Sequence, residues 1–594
     1  MAATPLAGPV RDHGFTVAHH DPSNGDIAAA LDELGDLYEL DGAIAHRVLA
    51  YRTAAKTIRE TPGSVAALAR AGRAIELSGV GATLAEKILA LIETGTIPAA
   101  EKLRATYPEG VVAMTRIPGL GPKRAKRLFE ELGIDSLAAL REAAQAERIR
   151  DLKGFGEKAE ATIIAALDAG HGAAPRQRMT LGSALAVGEQ IADALRVCPA
   201  VVRAEVAGSA RRGADSVKDL DIVVASADPA AVVAAFSALE LLASADRGGD
   251  GGARGEAQNG LGIDLRIVAP ESFGNLLQHF TGSKEHNVRL REAAVKRGLH
   301  VSEHGILDDE TGVTERFATE EEVYAHLGYA YPEPELREDR GELDPGFVPP
   351  ELVGVADLLG DLHCHTTASD GQASIEEMAV AARELGRAYL AITDHSASHG
   401  FGNAVSADQL VRQIERVRAA DARVEGITLL AGSEVNILQD GSLDYDDEIL
   451  AQLDWVVASV HTGFQLAPDA MTARIVRAVE HPLVDVLGHP TGRKIERRPG
   501  YAADIAAVID AAARSGTFLE INGAPDRRDL NEVNARAAVD AGVKIVINSD
   551  AHRPATLANV RWGVLTARRA RLTAADVANT LPWAALDALR KKSR

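Results

Sequence analysis

Cysteine is nearly absent: Cys198 and Cys364 are the only two in 594 residues. A disulfide framework is therefore excluded, and the count suits a reducing cytosol. No apolar run approaches the roughly 20 residues that cross a bilayer, so no membrane partner is expected. The opening stretch MAATPLAGPVRDHG has no basic segment leading into an apolar core, so no secretory signal is expected there. Residues 1–24 read as an N-terminal tail. Positive charge is also short. The net charge of −21 argues at first against nucleic acid, but the local placement of basic residues decides that question, not the sum. What the chain does have is length and apolar content. At 46% hydrophobic residues it can build several cores, and its length suggests roughly three to five domains.

The most informative stretch is GSARRGADSVKDLD, Gly208 to Asp221. In a strand, alternate side chains share a face, so Asp219 and Asp221 project together. Two adjacent carboxylates repel unless a cation lies between them. A hard divalent ion that also binds phosphate oxygens meets that need. The Gly208-Ser209 turn offers backbone N–H groups and a hydroxyl to phosphate, and Arg211 or Arg212 offers a fork of donors. A third carboxylate, Asp264, lies in the strand-like run IDLRIV. Three aspartates on two strands beside a phosphate cradle describe a two-metal nucleotidyl-transfer site.

Upstream, residues 25 to about 105 are helical by apolar spacing. LSGVGATLAEKI at Leu77, IPGLGPKRAKRL at Ile117 and a weaker LKGFGEKAEATI at Leu152 repeat one pattern. Each is an apolar residue, then Gly-x-Gly, then an amphipathic helix, and each resembles the helix-hairpin-helix motif. The glycines Gly79, Gly81, Gly119 and Gly121 would let the backbone approach a phosphate, with the N–H groups of the next helix facing it. In the second copy Lys123, Arg124, Lys126 and Arg127 follow with no acid among them, as expected of a run that tracks a DNA backbone.

The Gly-Ser, Arg-Arg, Asp-x-Asp and strand-Asp series resembles the family X DNA polymerases. That resemblance implies domains at 25–105 (helical, with the first helix-hairpin-helix), 106–175 (a second DNA-binding unit), 176–271 (an α+β nucleotidyltransferase palm) and 272–335 (a nucleotide-selecting subdomain). It assigns triphosphate contacts to Ser209 and Arg212. Val217-Lys218 stands where the family has a small Ser-Gly pair, and Lys218 would compensate. His279-Phe280-Thr281-Gly282 stands where the family lines the sugar pocket with an aromatic pair before Thr-Gly. Asn287 matches a residue facing the minor-groove side of the incoming base. Lys87 matches the family's lyase lysine, and Tyr51-Arg52 its AYR segment; a solvated helix lysine is the competing reading of Lys87. The Gly-rich run from Ala245 to Gly262 reads as a flexible loop. Residues 336–357, rich in proline and acid, read as a linker.

From about 358 to 594, strands alternate with helices, which implies a parallel sheet or barrel. Histidines and acids fall at the strand ends: His363, His365, Asp370, His395, Glu434, His461, His489, Asp550 and His552. Imidazole and carboxylate together suit Zn, Mn or Fe, and nine ligands suffice for about three ions. This half resembles the PHP (polymerase and histidinol phosphatase) domain, whose distorted seven-stranded β/α barrel carries a trinuclear phosphoesterase site. The order of the two halves is that of bacterial and archaeal PolX proteins.

The resemblance implies a DNA polymerase that fills short gaps in DNA repair, including base excision repair, and a metal-dependent 3′–5′ exonuclease. Mg or Mn is expected at the aspartates, and Mn, Zn or Fe at the barrel. Gapped DNA with a 5′-phosphate, 3′ ends and dNTPs are the expected partners, for a monomer in the cytoplasm at the nucleoid. Arg493, Lys494, Arg497 and Arg527 near the barrel mouth could hold a strand. A nuclease whose polymerase half mainly binds DNA is the alternative, and a small-molecule phosphatase is a third reading.

Overall fold

A computed structural model describes residues 21–115, 117, 120–168, 178–247, 251–400 and 403–591. Its contacts divide the chain into two bodies. One comprises Met1–Pro175 with two short hairpin pieces, Glu240–Ser244 and Glu256–Gly260; the other comprises Arg176–Leu239, Ala245–Gly255 and Leu261–Arg594. Residues 1–20 of the expected tail lie outside the described part.

The first body is helical around a core that includes Leu31, Leu34, Ile58, Ile88, Leu128 and Leu140. Its first helix, Asn24–Leu40, starts in a capping box: the Ser23 hydroxyl accepts from the Asp26 amide at 3.1 Å, and the Asp26 carboxylate accepts from the Ser23 amide at 3.0 Å. That pairing satisfies two orphan donors at the helix end. The three Gly-x-Gly segments precede the helices Ala82–Thr94, Gly121–Leu132 and Glu157–Asp168. Gly79, Gly121 and Gly154 have φ of +79°, +31° and +91°, a left-handed backbone that glycine adopts at little cost.

The second body begins with a five-stranded mixed sheet in the order Arg203–Val206, Asp219–Ala225, Gly262–Val268, Gly252–Ala257, Leu242–Arg247. The stretch expected as a flexible loop thus contributes part of one strand and the whole of another. Alternation places Ala253 and Ala257 on the buried face, and that pattern outweighs the glycine content. The helices Phe273–Thr281 and Lys284–Val295 and a small antiparallel sheet follow. The C-terminal half is a seven-stranded parallel sheet taken in chain order, from Gly360–Cys364 to Ile545–Asn548. An isolated parallel bridge between Cys364 and Ala551 brings its two edges together, so the barrel is nearly closed. Among the described residues, no helix is long and apolar enough to cross a membrane.

Residues 336–357 are not a loose linker. Arg337 is fully buried, with Glu342 and Val353 at 1% and 0% exposure. Glu342 accepts from His286 Nδ1 at 2.7 Å and from the amides of Asp339 and Arg340. The Val353 amide donates to the Leu572 carbonyl at 3.0 Å. Charge in this segment did not mean solvation, because each buried charge meets a partner. Arg337 and Arg211 both donate to Glu320, the latter at 2.6 Å. Burial pushes the Glu320 carboxyl up, but Arg337 and Arg211 outweigh it and hold it at about 2.

Breaking such a pair leaves an uncompensated buried charge. Glu320→Gln is expected to destabilise the second body by about 3–5 kcal/mol, read as a lower urea midpoint at pH 7. Because the folded pKa is depressed, the wild-type advantage is fully present above the ordinary carboxyl value of 4.5 and shrinks as pH falls towards 2.

Candidate active sites

In the palm, Asp219–Ala225 and Gly262–Val268 run parallel with Asp221 directly opposite Asp264 and Asp219 opposite Gly262. The predicted triad therefore comes together at one end of two central strands. Asp219 is exposed, while Asp221 and Asp264 are half-buried. Burial, then Asp219 and Asp264, push the Asp221 carboxyl up to about 7. That is the signature of clustered acid that a cation would relieve. Arg266 donates to Asp264 at 2.8 Å.

The Gly208–Arg211 turn passes against this cluster. Gly208 has φ +64°, and a Cβ there would sit 2.1 Å from Asp221 Oδ2. Only glycine lets the turn reach the carboxylates, and Ser209 follows it in the same turn. Lys218 is exposed and Val217 fully buried. Arg212 is tied to Glu338 at 3.0 Å and to the Thr281 carbonyl at 2.6 Å. The His279 and Phe280 ring centroids lie 5.3 Å apart, with Gly282 at the C-terminus of their helix. Asn287 donates to the His279 carbonyl at 2.7 Å and accepts from Gln278 at 2.8 Å.

In the helical body, Gly79 and Gly81 are exposed and Lys87 is half-buried on Ala82–Thr94. Gly119 lies outside the described residues. The second basic run is only partly available to a phosphate backbone. Lys123 is exposed. Arg124 reaches the Gly154 carbonyl at 3.2 Å, Lys126 the Tyr107 hydroxyl at 3.0 Å, and Arg127 both Glu131 and the Lys153 carbonyl at 2.6 Å. Three of the four thus brace neighbouring segments, two of them the loop of the third copy.

In the barrel, the nine predicted ligands converge. Three groups have ligand atoms within 4.8 Å of one another: His365, Asp370, His395 and His552; His363, His365 and Asp550; His395, Glu434 and His461. His489 joins them through Glu434, 2.8 Å from its Nε2. Glu434 also faces His395 at 2.8 Å and His461 at 3.1 Å. Burial, then His552 and His395, push His365 down to about 3; burial, then Arg527, pushes His489 down to about 4. Both imidazoles are neutral at pH 7, the form that donates a lone pair. His365 Nδ1 and His489 Nδ1 are buried without a hydrogen bond, which is costly unless another group, such as a metal, takes them. The donor set therefore fits divalent ions. His489 and Asp550 also have φ of +29° and +54°, backbone strain of the kind that collects at functional sites.

Sequence reasoning missed Glu520. It accepts from His363 Nδ1 at 2.8 Å and from the His489 amide at 2.7 Å, and so orients two of the predicted ligands. Its signal was a lone acid inside the apolar strand FLEIN, which is buried along its whole length. Of the basic residues expected at the mouth, Arg497 is exposed and Arg527 lies 3.6 Å from Asp550. Lys494 pairs with Asp526 at 3.0 Å, and Arg493 with Asp215 of the palm at 2.6 Å.

Comparison with known proteins agrees with this geometry. A helix-hairpin-helix domain matches residues 22–97, a SAM-like helix-hairpin-helix tandem 111–169, a DNA polymerase beta thumb 276–338 and a PHP domain 361–524. The DNA polymerase/3′-5′ exonuclease PolX of Bacillus subtilis (strain 168) is 36% identical over 570 residues, covering 96% of this chain and 99% of its own. Probable phosphatases of Thermoanaerobacter sp. (strain X514) and Shewanella sediminis are each 32% identical, over 40% and 39% of this chain and 96% and 94% of their own. Fold and sites define a polymerase beta-like chain joined to a PHP barrel. The chain belongs to the PolX family.

Glu520→Gln is expected to weaken metal binding roughly 10–100-fold. Metal content after dialysis against graded chelator would check this.

Proposed function

We propose that this chain is a DNA polymerase for short gaps in repair, carrying a 3′–5′ exonuclease of phosphoesterase type in its barrel. The observation that carries the polymerase assignment is the Asp221–Asp264 pair with Gly208 packed against it; likeness to the Bacillus PolX over nearly the whole chain supports both activities. When bound, divalent ions at either site supply positive charge to phosphate oxygens and acidify the attacking oxygen. Mg or Mn suits the aspartates, and about three Mn, Zn or Fe ions suit the barrel.

The chain's own residues do the rest. Asp219, Asp221 and Asp264 would hold the ions between primer end and triphosphate. Ser209, the backbone of the Gly208 turn, Arg212 and Lys218 would bind the triphosphate, and His279, Phe280, Gly282 and Asn287 would face the nucleotide. Gly79, Gly81, Gly121 and Lys123 would approach the DNA backbone, and Lys87 is the candidate lyase residue. In the barrel, His363, His365, Asp370, His395, Glu434, His461, His489, Asp550 and His552 would be the ligands. Arg497 and Arg527 would meet the strand being cut. A monomer acting at the nucleoid in the cytoplasm fits this role.

Product analysis on a one-nucleotide gap with a 5′-phosphate, with and without dNTPs, in Mg and in Mn, tests the reading. A chain that degrades the strand but never extends it would favour a nuclease whose polymerase half only binds DNA. Asp221→Asn is expected to cut incorporation by about 10³-fold or more while leaving degradation intact. Affinity for the gap is expected to be higher with a 5′-phosphate than with a 5′-hydroxyl, measured across a salt series.

A further inference from the structure

The nucleotide loop of the palm is held both by its own domain and by the barrel. Within its own domain, the segment after the Gly208 turn pairs Ser216–Val217 with Met179–Thr180, accepts the Leu181 amide on the Asp215 carbonyl at 3.1 Å, and accepts Arg178 on the Ser216 hydroxyl at 2.9 Å and carbonyl at 2.7 Å. Four anchors, on residues 212, 214, 215 and 216, come from the other side. Arg569 donates to the Arg212 carbonyl at 2.8 Å. Arg528 donates to the Ala214 carbonyl at 2.9 Å. Arg493 meets Asp215 at 2.6 Å, and Ser216 donates to Glu496 at 2.6 Å. A Cβ on Gly213 would lie 3.6 Å from Leu565, so the loop lies directly against the helix Val560–Arg569.

One carboxylate in this contact has two claimants. Glu338 Oε1 accepts from Arg212 at 3.0 Å and from Arg569 at 2.8 Å. Burial pushes the Glu338 carboxyl up, but Arg569 and Arg212 outweigh it, so it is ionised at pH 7. Arg569 is itself steadied by Glu532 at 3.1 Å, and its side chain is 9% exposed. A carboxylate on the Arg212 guanidinium competes with a triphosphate for the same donors. A second guanidinium on that carboxylate weakens its hold on the first.

We propose that Arg569, a residue of the phosphoesterase barrel, is a positioning residue for nucleotide binding at the polymerase site. It fixes the loop by the Arg212 carbonyl and shares the Glu338 oxygen that Arg212 also contacts, which weakens that carboxylate's competition with a triphosphate for the Arg212 side chain. This rests on the polymerase reading given above. It assigns opposite signs to two members of one salt-bridge network: Arg569 promotes nucleotide binding and Glu338 opposes it. A purely structural network would make both losses harmful.

The test is single-nucleotide insertion by the full chain on gapped DNA, with the 3′–5′ exonuclease rate of each preparation measured alongside. Arg569→Ala is expected to raise the KM for dNTP about tenfold while kcat stays within about twofold, the pattern of lost binding that does not grow in the transition state. Its exonuclease rate is expected to match wild type. Glu338→Gln alone is expected to lower the KM, and in the double variant to return it towards wild type. Arg569→Lys, which keeps the charge, is expected to fall between. A wild-type KM in Arg569→Ala, a rise that Glu338→Gln leaves in place, or a parallel loss of both activities in Arg569→Ala and Arg569→Lys overturns the proposal. A wild-type chain that extends no primer overturns the polymerase reading itself, and this inference with it; a wild type that extends separates the two failures.

Discussion

A charge taken out of water costs several kcal/mol unless an opposite charge faces it. The second body is organised by that constraint. Glu320 sits between Arg211 and Arg337, joining palm, nucleotide subdomain and the segment that follows. Fully buried Arg528 is directed at Asp215 and the Ala214 carbonyl, joining barrel to palm. Removing one member leaves the others stranded, so these contacts determine which segments can be separated. Apolar packing fills each domain, as in the barrel cluster around Val456, Ile475 and Ile521. The paired charges fix how neighbouring domains meet.

At the two candidate active sites the same constraint is only partly met from within. Asp221 faces Asp219 and Asp264, with Arg266 turned to one side, and its carboxyl is pushed up. In the barrel, acids and imidazoles offset one another. Asp550 and Glu434 are held well below the usual carboxylate range despite burial, by His363 and the other histidines around them. Both arrangements are poised for added cations, but for different ones. Oxygen-only clustering suits hard ions near phosphate, and mixed imidazole and carboxylate suits transition metals. The two candidate ligand sets do not overlap.

Much of this was legible in the order of residues. Ligands at strand ends can be read because a strand of period two puts His363 and His365 on one face, and because an apolar strand leaves little other use for a histidine at its end. The triad was legible for the same reason. Glu520 was not, since one acid inside an apolar strand looks like an ordinary surface position until the strand is known to be covered on both sides. Residues 336–357 were misread because proline and charge disfavour packing only when the charges lack partners. Those partners, His286, Glu320 and Arg571, lie far off in sequence or in the other half. The basic run after Gly121 shows the reverse error. Arg127 reads as a phosphate contact but is aimed at Glu131 and the Lys153 carbonyl. Composition shows that charges are present; only the fold shows what they face.

Separate ligand sets do not make separable enzymes. The predicted polymerase aspartates all precede residue 270 and the predicted barrel ligands all follow residue 360, so neither candidate site draws a ligand from the other half. The support of those ligands is distributed differently. Residues 212–216 of the nucleotide loop take anchors from Arg569, Arg528, Arg493 and Glu496, and Glu335 is bound by Arg568 at 2.6 Å. Preorganisation of a binding loop depends on whatever holds its backbone still, wherever in the chain that lies. A cut after the nucleotide subdomain would preserve every predicted polymerase ligand and remove the barrel's share of the surface against which the loop is built. The boundary drawn by chemistry and the boundary drawn by packing therefore fall in different places in this chain.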